Sequence, residues 1–160
     1  MARKEKFLIR TCSANAALED LLAEITRING DKKSVVQIFD PKRIINRTHI
    51  AGAYIDALES FNGKTNISKS MGLEMLLYAA MTNQINEAIK IAGVKNARNF
   101  VLFANSRATF NRVRHFLKSD KEFDQDKSTQ QKIARKFGIR SGDDMNKFIL
   151  QRMAISRLGE

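Results

Sequence analysis

Asn99-Phe100-Val101-Leu102-Phe103-Ala104 runs five apolar residues together without a polar interruption. A strand wet on one face alternates apolar with polar side chains, whereas a strand covered on both faces reads as an unbroken apolar run. The stretch therefore predicts a strand buried on both faces, and the sequence around it predicts that helices cover it. On its N-terminal side, Ile85, Ala88, Ile89 and Ala92 recur at helical spacing in a segment from Asn83 that stops at Gly93. Before that, Ser70 can cap a helix from Met71 to Met81 that is apolar almost all round. Such a helix must be covered on every side, so it is either central or keeps one face for a partner. On the C-terminal side, Ser106 caps a helix with Phe110, Val113, Phe116 and Leu117 turned inward.

Further out, Phe7–Cys12 and Ser34–Phe39 read as two more strands, the second ended by Asp40-Pro41. Between them Asn15 caps a helix whose stripe is Leu18, Leu21, Leu22, Ile25 and Ile28, stopped by Asn29-Gly30. A helix capped at Asn46 or Thr48 carries Ile50, Tyr54, Ala57, Leu58 and Phe61 on one face and ends at Asn62-Gly63. Ser119–Asp126 reads as a polar loop. Ser128 with Gln131 has capping-box spacing and opens a helix to Phe137; Gly138 breaks it. Ser141 with Asp144 opens a last helix through Met145, Phe148, Ile149 and Met153. The expectation is one helix-rich α/β domain over residues 1–160, with a small central β-sheet flanked by helices.

At 160 residues, with 43% hydrophobic residues and ten Phe, one domain can bury a substantial core without staples. Cys12 is the only cysteine, and no Cys/His spacing suits zinc. The longest apolar run, Leu73–Met81, contains Glu74 and falls far short of the ~20 residues of a membrane span. The basic N-terminus reaches Arg10 before any signal-peptide core forms, so the expected protein is soluble and cytoplasmic.

The net charge is +11, and it is uneven. Residues 63–160 carry 18 basic and nine acidic side chains, and between Gly63 and Lys118 nine basic residues face only Glu74 and Glu87. Such a surplus favours polyanions, above all nucleic acid, through counterion release. No phosphate-binding glycine loop, dinucleotide fingerprint or nucleophile elbow is present. His49 and His115 lack ligand spacing, and Cys12 sits in a predicted strand, where a core thiol is the ordinary outcome. These features predict a non-enzyme that needs no cofactor or metal. The C-terminal helices around Gly138 outline a helix-turn-helix and give a DNA-binding regulator as the alternative, but Asp143-Asp144 would face phosphates at the start of the second helix.

One loop carries more than charge. Lys64-Thr65-Asn66-Ile67-Ser68-Lys69 has two cations and no acid, and leads into a helix N-terminus. Lys64 and Lys69 can neutralise phosphates, Asn66 and Ser68 can reach base edges, and Ile67 can pack on a base. The apolar surplus of the following two helices suggests a docking face.

The middle of the chain also resembles a known family. Asp40, His49-Ile50, Ala53, Ala57, Phe61-Asn62-Gly63, Asn66-Ile67-Ser68, Gly72–Tyr78, Asn83-Gln84-Ile85, Ala88-Ile89 and Gly93-Val94 follow its order. The chain is similar to the small tRNA-binding accessory subunit of the KEOPS complex, the PRPK-binding-protein family. That resemblance implies an α/β fold and a non-catalytic role. It implies docking on the complex's small atypical kinase/ATPase subunit and stimulating it. It further implies recruitment of tRNA by its 3′ CCA end, in support of threonylcarbamoylation of the adenosine next to the anticodon. Set beside it, the reading of the loop puts tRNA binding at Lys64, Asn66, Ile67, Ser68 and Lys69, and the apolar surplus puts kinase docking at Met81, Gln84, Ile85 and Ile89, with self-association as a second use of that face. Asn83 stands where the family pattern has a basic residue.

Overall fold

The computed structural model describes residues 7–140 and 144–158. Four strands, β1 (Leu8–Ala14), β2 (Val36–Phe39), β3 (Phe100–Ala104) and β4 (Leu117–Glu122), form one sheet in the order β2-β3-β1-β4. Every neighbouring pair is antiparallel. As expected from its composition, all five residues of β3 are buried; in the sheet it lies between β2 and β1. Its side chains alternate between two cores: Val101 and Phe103 enter one, Phe100, Leu102 and Ala104 the other.

The second core is closed by α1 (Leu18–Asn29), through Leu21, Ile25 and Ile28, and by α5 (Arg107–Val113), through Phe110 and Val113. The first and larger core takes α2 (Arg47–Asn62), α3 (Met71–Ala80), α4 (Ile85–Ala92), α6 (Lys127–Lys136) and α7 (Met145–Leu158). The expected helix-flanked small sheet is therefore the observed architecture. Within it α3 is central: its residues from Glu74 to Ala80 are all buried. Gly72 lets the start of α3 lie against the edge strand β2. A Cβ there would stand 2.8 Å from Asn29 Nδ2 and 3.2 Å from the Val36 carbonyl oxygen.

Caps at Asn46, Ser70 and Ser106 form as the sequence predicts, each side chain accepting a backbone N–H three residues on. Two others differ. The N-cap position of α1 is Ala17, without a side-chain hydrogen bond, two residues beyond Asn15, whose N–H is bonded to the Phe116 carbonyl. The cap of α6 is Asp126, which accepts the Thr129 N–H at 2.7 Å, so the helix starts before the Ser128–Gln131 pair.

The main correction is β4, where the sequence suggested the end of a helix and then a loop. Leu-Lys-Ser-Asp-Lys-Glu has no apolar alternation because this is an edge strand, half-buried at best. Its order comes from the ladder to β1 and from Arg10, which bonds Asp120 at 2.7 Å and Glu122 at 3.0 Å. The Ser141 cap expected for α7 lies outside the described residues. No helix among them is long and apolar enough to cross a membrane.

Candidate functional site

The loop between α2 and α3 begins with a Schellman closure. The Thr65 N–H reaches back to the Ser60 carbonyl (2.8 Å) and the Lys64 N–H to that of Phe61 (3.3 Å). This places Lys64 at φ +58°, a left-handed backbone where glycine is the usual occupant. The other end of the loop is held by the α3 cap: Ser70 Oγ accepts the Leu73 N–H, and Ser68 Oγ accepts the Ser70 N–H at 3.1 Å.

Between these ends the loop is wired to Glu74. This carboxylate is fully buried in the otherwise apolar α3. It accepts the Ile67 N–H at 3.1 Å and the Ser68 N–H at 3.0 Å on Oε1. Its other oxygen takes a 2.9 Å ion pair from Arg157 Nη1, delivered by the last turns of α7. The Arg157 guanidinium lies 4.2 Å from the Tyr78 ring centroid, and its Nη1 also reaches the Thr65 carbonyl at 3.5 Å. A buried charge demands such partners.

The predicted RNA-contact residues thus take different places. Lys64 and Lys69 are exposed and have no ion-pair partner among the described residues. Ile67 is 43% exposed, an apolar side chain presented to solvent. Asn66 is half-buried and donates its amide to the Ser68 carbonyl at 2.8 Å. Ser68 is buried and faces the interior of the loop. Beside the loop, a groove of about 620 Å³ runs over the β2 edge between α1 and the α3–α4 pair. Leu22, Leu73, Leu76 and Ile89 wall it, and Lys69 and Ser70 stand at one part of its lining.

The predicted docking residues do not share one surface. Ile89, 49% exposed, belongs to the groove just described. Met81, at φ +57° in a second Schellman closure of α3, lines a different groove of about 470 Å³ with Phe137, Ile155, Arg43, Lys136 and Arg152. Ile85 packs partly against the larger core and Gln84 is exposed.

His49 and Cys12 occupy structural positions. His49 is fully buried: its Nδ1 accepts the Ile45 N–H at 3.0 Å and its Nε2–H donates to the Ala79 carbonyl at 2.8 Å, serving one of the orphan acceptors at the end of α3. Burial pushes its pKa down to about 4, against the opposing effect of the Ala79 bond. Cys12 is buried in β1, and desolvation with the nearby Asp120 raises its thiol to about 12, far from thiolate reactivity. In the last helix, three polar side chains that could read DNA are engaged within the protein. Asn146 bonds Asn46 at 2.8 Å, Arg152 bonds the Phe137 carbonyl, and Arg157 holds Glu74.

Sequence reasoning missed Arg157. The available signal was Glu74 itself, a lone carboxylate on a helix too apolar to leave it in water. Its partner lies 83 residues away, beyond any local pattern. A search of curated protein sequences finds no significant match. The family described as kinase binding protein CGI-121 matches residues 13–157, nearly the whole chain, including α3, its loop and α7. The chain therefore belongs to the CGI-121 family of kinase-binding proteins, the family of a KEOPS subunit.

Proposed function

We propose that the chain is a non-catalytic KEOPS subunit that recruits tRNA by its 3′ CCA end and stimulates the small kinase/ATPase on which it docks. In this role it supports threonylcarbamoylation of the adenosine next to the anticodon by other subunits. The observation that carries the RNA half is the α2–α3 loop, with two exposed, unbridged lysines flanking an exposed isoleucine on a backbone fixed from below by Glu74. Lys64 and Lys69 neutralise phosphates, Ile67 packs on an unstacked base, and the Asn66 carbonyl oxygen reaches a base edge. Ser68 contributes by holding the loop. The kinase half rests on the family and on apolar residues that stand on two grooves, Ile89 on one and Met81 on the other, with the half-buried Ile85 and the exposed Gln84 between them in sequence.

Two exposed-site variants test the halves separately. Lys64→Glu with Lys69→Glu is expected to weaken tRNA binding by about tenfold or more at moderate salt, since two phosphate contacts become repulsive, while the fold is retained. Ile89→Asp is expected to weaken kinase binding and the kinase's ATPase stimulation. Unchanged tRNA affinity in the first variant, or unchanged kinase binding in the second, contradicts the corresponding assignment. Ile89 also walls the groove beside Lys69, so its tRNA affinity reports whether the two surfaces overlap.

A further inference from the structure

Glu74 is the one carboxylate on a helix that is otherwise apolar, and both of its oxygens are committed. One oxygen holds two consecutive N–H groups of the lysine loop; the other holds Arg157 of α7. The guanidinium is only 16% exposed on its side chain, stacks on Tyr78 and leaves its Nη2 buried without a partner. Tyr78 is itself hydrogen-bonded through its hydroxyl to Ser60, whose carbonyl closes the start of the loop. Loop, α2 end, α3 and α7 thus meet at a single buried ion pair. Hydrophobic residues would fill this space without desolvating two charges, and an orphaned buried donor is a further cost. An arrangement that costs stability but fixes two loop amides is an arrangement for positioning.

We infer that Arg157, acting through Glu74, is a positioning residue for the α2–α3 loop, so that the C-terminal helix sets the geometry in which Lys64, Ile67 and Lys69 meet RNA. The inference rests on the proposed RNA role only for its functional readout; the positioning itself is measurable on the free protein. Without the guanidinium, Glu74 keeps a buried, half-paired charge, and the loop amides that bind it are released as the carboxylate turns toward water.

The test is amide hydrogen exchange at Ile67 and Ser68, with tRNA affinity alongside, in Arg157→Ala, Arg157→Lys, Glu74→Gln and the Arg157→Ala/Glu74→Gln double variant. Arg157→Ala is expected to speed exchange of these two amides about tenfold or more, while the β3 amides of Val101 and Phe103 stay protected, and to weaken tRNA binding about tenfold. Arg157→Lys is expected to recover part of both effects, and Arg157→Ala to add little in the Glu74→Gln background, because the arginine acts through the carboxylate. If Arg157→Ala also releases β3, Arg157→Met, which keeps the stacked stem over Tyr78, replaces it in the comparison. Wild-type exchange at Ile67 and Ser68 overturns the inference, as does faster exchange with unchanged affinity in a protein whose parent binds tRNA. If the parent shows no CCA-dependent binding, the proposed function fails, and the exchange measurement still decides whether Arg157 positions the loop.

Discussion

Lys64 holds a left-handed backbone at the position where a Schellman closure ordinarily has glycine, although Gly63 stands one residue before it. A lysine there carries a steric cost that glycine would not. Lys64→Gly is expected to raise stability by about 0.5–1 kcal/mol, the left-handed penalty less the entropy of a freer unfolded chain, while lowering tRNA affinity. Denaturant midpoints and a binding titration on the same variant check both signs. His49 makes the opposite kind of statement. Its folded pKa near 4 lies below the ordinary 6.5, so between those values the unfolded chain binds more protons. Stability therefore rises with pH through that window, is complete above about 6.5, and falls by about 3 kcal/mol as the pH drops to 4. His49→Gln can serve the same two backbone groups without titrating. Its stability at pH 7.5 and at pH 4.5 is expected to differ by less than the parent's, and an equal difference would remove His49 as the cause. The exposure of Lys64 and Lys69 was legible because an unpaired lysine in a polar loop stays in water. The burial of Ser68 was not, because it depends on amides turning inward to a carboxylate that the local sequence does not mark as their partner.

At the scale of elements, strong local signals and tertiary structure agree at β3 and α3. An apolar run of strand length and an all-round apolar helix each leave one outcome, burial on every side. They part where local signals compete. Asn15 and Ser128 are good capping residues, but α1 starts after Ala17, beyond Asn15, and Asp126 already closes α6. They part most at β4, whose polar sequence carries no strand pattern because its stability is borrowed from β1 and from Arg10. Arg10→Ala is therefore expected to cost about 1 kcal/mol, the value of a partly screened bidentate pair. It should raise exchange along Leu117–Glu122 before any change in β3. Uniform loss of protection across the sheet would show that β4 is held by something other than this arginine.

For the molecule as a whole, the excess positive charge of residues 63–160 survives folding as a surface property at the candidate site. Glu74, five residues after Lys69, is buried and neutralised by Arg157, so it does not offset the lysines from outside, while the exposed Glu59 lies five residues before Lys64. The arrangement of charge was legible in the sequence; the separation of Met81 from Ile89 onto two grooves required the fold. The central claim is that this charge serves end-specific RNA recognition rather than general adhesion to polyanions. Its most direct test is a fluorescence-anisotropy titration at two salt concentrations with intact tRNA, the same tRNA lacking its CCA end, and a duplex DNA of matched charge. Removing CCA is expected to lower affinity, and the loss to persist at the higher salt, because base contacts are not screened away with the phosphates. Equal binding to all three, abolished together by salt, would contradict it.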